Sequence, residues 1–148
     1  MSYTNLLYHL DFSTKERVPY LKPELLTRVA PYIGGIVREI GGQMLAANGA
    51  ADHIHIALQG TPTMAVADLV RVIKANSSKW IHETFPALAP FAWQEGYAAF
   101  SVSASVVPKV LAYIQGQQQH HQKADFKQEF VALLEKHGIP YDERFVWG

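Results

Sequence analysis

Asp52-His53-Ile54-His55-Ile56 places two imidazoles two residues apart. On a β-strand alternate side chains share a face, so His53 and His55 would project together while Ile54 and Ile56 point into a core. Two neighbouring imidazoles can give two nitrogens to one divalent ion. A strand face that merely carries two histidines has the same spacing, and the spacing alone leaves both readings open. A second stretch, Leu111 to His121, puts Tyr113, Gln117 and His121 at i, i+4 and i+8, one stripe of a helix, with Leu111 and Ile114 flanking it. A phenol on that stripe could act as a nucleophile. It could equally be a half-buried packing residue, and the glutamines and histidines after it could be a solvated helix end. Gly116 within the stretch costs roughly 1 kcal/mol of helix propensity relative to alanine, which suggests a need for close approach or flexibility.

The elements that must hold these side chains follow from period and punctuation. Thr4 to Phe12 reads as a strand, and Thr14-Lys15-Glu16-Arg17 as a polar turn kept from helix by Pro19. Pro23 opens a helix to about Ile40, with Leu25, Leu26, Val29, Ile33, Ile36, Val37 and Ile40 on its apolar period, and with Pro31 and Gly34-Gly35 as points of kinking. Gln43 to Ala47 and His53 to Gln59 read as a hairpin turning at Asn48-Gly49-Ala50-Ala51-Asp52. A second helix is expected from about Met64 to Phe85, and a fourth strand from Phe91 to Val102 with a bulge at Gly96. Ser105 is expected to cap a third helix, Val106 to about Gln119, and Asp125 a fourth, ending at Lys136 before His137-Gly138 and Pro140. The order β-α-β-β-α-β plus two helices predicts an α+β, ferredoxin-like sandwich: a four-stranded antiparallel sheet with two helices on one face. One domain is expected over 1–148, with a core at about 3–103 and the two last helices at about 105–138.

Composition sets outer bounds. The chain has 148 residues, 49% of them hydrophobic, which is enough for one core and too apolar for a disordered chain. Without cysteine there is no disulfide, thiolate ligand or thiol nucleophile. No stretch approaches the roughly 20 apolar residues of a membrane helix, and the N-terminus shows no secretory pattern, so a cytoplasmic protein is expected. Lys plus Arg and Asp plus Glu number 13 each. No global positive field announces a nucleic-acid partner, and any such contact must use a local patch.

Several blocks, taken in order, carry more than any one of them. Tyr8-His9-Leu10 with Thr14-Lys15, Asp52-His53-Ile54-His55, Lys74-Ala75-Asn76-Ser77-Ser78-Lys79, Trp93-Gln94-Glu95-Gly96-Tyr97 and Tyr113-Ile114 with Gln117, His120 and His121 are followed by Phe126, Glu129 and Leu134 to Ile139. Over nearly its whole length the chain resembles the single-tyrosine HUH transposases: the small transposases of single-strand-transposing insertion sequences and the REP-associated tyrosine transposases.

The resemblance implies a divalent metal, Mg²⁺ or Mn²⁺, held by His53, His55 and Gln117, with Tyr113 as nucleophile on single-stranded DNA hairpins. It implies a 5′-phosphotyrosyl intermediate with a free 3′-OH, and a homodimer in which the histidine pair of one subunit faces the tyrosine helix of the other. The polar residues Lys15, Arg17, Lys74, Asn76, Ser77, Ser78 and Lys79 are candidate DNA contacts or a solvated face, and His120 and His121 could support the site or help ionise Tyr113. The general base is not readable from the residues. Two other readings are a binding-only regulator of DNA or RNA hairpins with the same fold, and a nickase of the replication-initiator or relaxase type.

Overall fold

The computed structural model describes residues 1–117, 125–144 and 146–147. Four strands, β1 (Leu6–Ser13), β2 (Gln43–Ala50), β3 (His53–Gly60) and β4 (Ala98–Val102), alternate with α1 (Pro23–Glu39) and α2 (Val66–Thr84). Two further helices follow, α3 (Val107–Gln115) and α4 (Phe126–Lys136). The sheet order is β2-β3-β1-β4 and every pairing is antiparallel. That is the ferredoxin-like arrangement expected, with its two additional helices. No helix among the described residues is long and apolar enough to cross a membrane.

Period two on the strands and 3.6 on the helices sort the side chains between two layers. On one face Leu10, Phe12, Ile54, Ile56 and Leu58 meet the apolar stripes of α1 and α2, closed by Phe91 and Trp93. α1 is a single helix through Pro31, which lies on its exposed side. On the other face Ala98 and Phe100 of β4 pack with Phe126, Phe130, Leu133 and Leu134 of α4. β3 is therefore covered on both sides, and every residue from His53 to Leu58 is buried.

Three local expectations are corrected. The hairpin turns at Ala51-Asp52, while Asn48 and Gly49 remain in β2 opposite His55 and Ile54. A Cβ at position 49 would collide with the His53 carbonyl oxygen, so the glycine permits close strand approach instead of making the turn. β4 begins at Ala98, not Phe91, because the ammonium of Lys74 takes the carbonyls of Gln94 (2.9 Å) and Gly96 (2.6 Å), which turns that segment toward α2. Ser105 does not cap α3. It lies in a 3₁₀ turn, Ala104–Val106, with its hydroxyl on that of Ser103, and α3 closes at Gln115 with Gly116 as its C-cap. Asp125 does cap α4, in a reciprocal capping box with Gln128.

Candidate active site

β3 carries His53 and His55 on the face that α3 and α4 cover, and the register of β1 sets Ser13 and Asp11 directly opposite them. Directly opposed residues share a face, so His9, Asp11 and Ser13 project to the same side. Both histidines are fully buried, as are Asp11 and Gln117.

Each histidine uses one nitrogen for support and turns the other toward a common point. His53 Nδ1 lies 2.8 Å from Asp52 Oδ1, and its Nε2 lies 3.3 Å from Glu129 Oε1 and 3.4 Å from Gln117 Oε1. His55 Nδ1 lies 2.9 Å from His9 Nε2, and its Nε2 lies 2.7 Å from Glu129 Oε1 and 3.8 Å from Asp11 Oδ1. Burial, then the neighbouring His55, lower the His9 imidazole to about 3. It is neutral at physiological pH, so one of the two facing nitrogens, His9 Nε2 and His55 Nδ1, donates and the other accepts. That hydrogen bond orients the His55 ring, as supporting partners of metal-binding histidines do. Burial alone would lower His53, but hydrogen bonds to Asp52 and Glu129 outweigh it and push it up to about 10. Glu129 is the converse: burial would raise it, yet hydrogen bonds from His53 and His55 hold it far below the usual carboxylate range.

α3 brings the tyrosine. The end of the helix is tied to β2 by Asn48 Nδ2, which donates to the Gln115 carbonyl at 3.2 Å, and Ile114 is fully buried beneath it. The half-buried Tyr113 ring then stands edge-on to His55, with centroids 5.6 Å apart, and to His9 at 6.1 Å. Burial, followed by a hydrogen bond with Glu129, raises the phenol above its ordinary range. Gln117 lies one turn further on, and its amide donates to the Tyr113 carbonyl at 3.4 Å while Oε1 faces His53. A cavity of about 710 Å³ is lined by residues of α3, α4 and the end of β4, together with His9; Tyr113, Glu129, Lys109, Lys136 and His137 are among them.

The donor set suits a divalent cation. One atom each from His53, His55 and Glu129 lies within 4.8 Å of the others, with the Gln117 carbonyl oxygen alongside. Imidazole nitrogens with carboxylate and amide oxygens are ligands for Mg²⁺, Mn²⁺ or Zn²⁺.

The family model described as IS200-like transposase matches residues 2–117. The chain belongs to that family. The ISDra2 transposase TnpA of Deinococcus radiodurans is 26% identical to this transposase over 117 residues, covering 76% of this chain and 84% of that protein. The crystal structure of a Deinococcus radiodurans R1 protein described as a transposase aligns with a TM-score of 0.65 at 26% identity, over 78% of this chain and 93% of that one. A REP-associated tyrosine transposase, solved bound to a REP hairpin, aligns with a TM-score of 0.60, over 82% of this chain and 72% of that one; at 14% identity it shows the shared fold. The family match ends at Gln117, so α4 and Glu129 lie beyond it.

Of the residues singled out from sequence, the fold of this transposase brings His53, His55, Tyr113 and Gln117 together. Lys15 and Arg17 sit in the turn after β1, which the Thr14 amide ties to the Asp52 carbonyl at 2.8 Å, beside the entry to β3. The α2 residues do not join the site, because α2 packs on the opposite face of the sheet. Asn76 and Lys79 are exposed there and Ser78 partly so, whereas Ser77 is fully buried: it donates to the Ile73 carbonyl (2.6 Å) and accepts from Trp93 Nε1 (3.0 Å). Ser77 is thus a buried structural contact, which is at odds with its candidacy as a DNA contact, and Lys74 is held by the Gln94 and Gly96 carbonyls. His120 and His121 lie outside the described residues. Roles for His9, Asp11 and Glu129 were missed. His9-x-Asp11 has the same period-two signal as His53-x-His55 and could have been noticed, whereas nothing local marks Glu129.

Proposed function

We propose that this transposase nicks and rejoins single-stranded DNA by a divalent-metal-dependent reaction in which Tyr113 is the nucleophile and His53, His55 and Gln117 hold Mg²⁺ or Mn²⁺. The observation that carries the reading is the convergence of α3 on β3, which sets the Tyr113 ring 5.6 Å from that of His55 and Gln117 Oε1 3.4 Å from His53 Nε2. When bound, the ion supplies Lewis-acid stabilisation of charge developing on a scissile phosphate.

The rest belongs to the chain. His9 and Asp52 orient the two imidazoles through their Nδ1 atoms. Tyr113 Oη attacks phosphorus in line, the P–O3′ bond breaks, and the phosphate stays on the 5′ side as a phosphotyrosyl ester. The phenol loses its proton and the departing 3′-oxygen gains one. The ester keeps the energy of the broken bond, so a 3′-OH can reverse the step and rejoin strands without a nucleotide cofactor.

The substrate proposed is a hairpin with an unpaired flank, as the REP hairpin bound to the structural neighbour supports. Lys15, Arg17, Asn76, Ser78 and Lys79 are proposed as its backbone contacts, with Lys109 and Lys136 along the cavity. The chain acts as one domain over 1–148, and a homodimer is proposed from the resemblance.

The test is covalent trapping with Mn²⁺ and single-stranded DNA from both flanks of the gene. A denaturant-resistant adduct is expected from the wild type and from neither Tyr113→Phe nor His53→Ala. An adduct that survives Tyr113→Phe refutes the nucleophile, and one that survives both His53→Ala and chelation refutes the metal.

A further inference from the structure

Among the described residues Asp11 is the one buried side chain whose polar atoms have no hydrogen-bond partner, and both of its carboxylate oxygens are in that condition. Its exposure is 0%, which removes it from bulk water. A carboxylate in that position needs a cation or a proton, because transfer from water without a partner is strongly unfavourable. The side chain is not turned away from the chemistry. Asp11 pairs with His55 across the β1–β3 ladder, and its Oδ1 lies 3.8 Å from His55 Nε2, the nitrogen that also faces Glu129 Oε1. At that separation the two groups do not hydrogen-bond directly. Donors on neighbouring sites of an ion bonded at about 2.1 Å stand roughly 3 Å apart, and opposed donors roughly 4 Å. The 3.3, 3.4 and 3.8 Å separations around His53 Nε2 and His55 Nε2 fall in that interval, whereas His55 Nε2 and Glu129 Oε1, hydrogen-bonded at 2.7 Å, must part by a few tenths of an ångström to admit the ion.

We propose that Asp11 and Glu129 both face the cation, making a two-histidine, two-carboxylate site that binds Mn²⁺ or Mg²⁺ in the absence of DNA. This rests on the metal reading above and extends it to two residues from opposite ends of the chain. Two neutral imidazoles and the Gln117 amide bring no charge, so a site made of them alone would depend on a DNA phosphate to balance the ion. Two carboxylates balance it from within, and hard oxygen donors suit Mg²⁺ and Mn²⁺. Glu129 is carried by α4, beyond the stretch that matches the family. The contrary arrangement is a carboxylate that only bridges the histidines and a buried acid that is neutral. It predicts that replacing either carboxylate leaves metal binding unchanged or improves it.

The experiment is a Mn²⁺ titration of the full-length, DNA-free protein, followed by the paramagnetic resonance of free Mn²⁺. Wild type, Asp11→Asn, Glu129→Gln and His53→Ala would be compared, with circular dichroism to confirm folding. Each carboxylate variant is expected to weaken binding by about 10-fold or more, the range seen when supporting groups of a metal site are lost. Unchanged or tighter binding by either folded variant overturns the proposal, as does a wild type that takes up no Mn²⁺ without DNA. Should Asp11→Asn fail to fold, an infrared difference spectrum of the wild type on adding Mg²⁺ replaces it. Shifts of carboxylate bands that are reduced in Glu129→Gln support the site, and a spectrum without carboxylate changes overturns it. The function itself is judged by the DNA adduct, so carboxylate variants that bind metal normally would sink this proposal alone.

Discussion

A buried imidazole with carboxylates at both ring nitrogens behaves as a cation, and His53 is in that position. Its pKa is raised from 6.5 to about 10, so the folded metal-free protein holds a proton that the unfolded chain releases as pH rises between those values. The associated stability is fully present below about pH 6.5 and lost as pH rises through 10. Glu129 is shifted the other way from 4.5, so its contribution is present above that value and lost as pH falls. Urea unfolding of the chelator-treated protein is therefore expected to show greatest stability between about pH 4.5 and 6.5, and His53→Gln should lack the alkaline decline. A wild type whose stability is flat from pH 6.5 to 10 would contradict this. Ser77 makes a separate point at the same scale. Its hydroxyl accepts from Trp93 Nε1 in the core, so Ser77→Ala strands a buried donor and is expected to cost about 1–3 kcal/mol. Hairpin binding by the folded variant should match wild type in a gel-shift assay. A loss of affinity without a loss of stability would return Ser77 to the DNA surface.

At the scale of elements, function depends on how the last two helices are anchored. α3 is short, closes at Gly116, and holds its register through the Asn48 amide on the Gln115 carbonyl. The turn before α1 is strained: Glu16 and Arg17 both have φ near +55°, a conformation that costs an L-residue roughly 1–2 kcal/mol. α4 presents Glu129 from its first turn, immediately after the capping box of Asp125 and Gln128. Asp125→Ala removes an acceptor for an orphan helix N–H and should cost about 1 kcal/mol. The loss is expected to be local, so amide exchange should quicken in α4 while β1 and β3 keep their protection. Uniformly faster exchange across the sheet would mean that α4 and the core open together.

At the scale of the molecule, the sheet is the plane that separates stability from chemistry. The α1 and α2 side holds the larger apolar core, and the α3 and α4 side encloses three buried histidines, two carboxylates and an amide. Tyr113, Gln117 and the histidine pair come together within one chain, an arrangement that would let one subunit complete a site by itself. Mixing Tyr113→Phe with His53→Ala is accordingly expected to leave adduct formation at the level of either variant alone. Recovery of a substantial fraction of wild-type yield on mixing would show that the tyrosine helix is exchanged between subunits, as the resemblance implied.

What the sequence determined by itself is what neighbouring residues encode. Apolar period, helix punctuation and an Asp cap were enough for the order of elements and the ferredoxin-like class. His53-x-His55 and the Tyr113 to Gln117 turn were legible because each is a local repeat on one face. The Asn48-Gly49 pair misled, since a glycine needed for strand approach looks the same in sequence as one needed for a turn. Only the tertiary structure decided that β3 is covered on both faces and that His9 supports His55. It alone placed Asp11 and Glu129, 118 positions apart in the chain, beside the same imidazole nitrogen. The reason is physical: period and propensity act over a turn or two of chain, whereas a buried polar cluster is set by which distant segments cross the same patch of sheet.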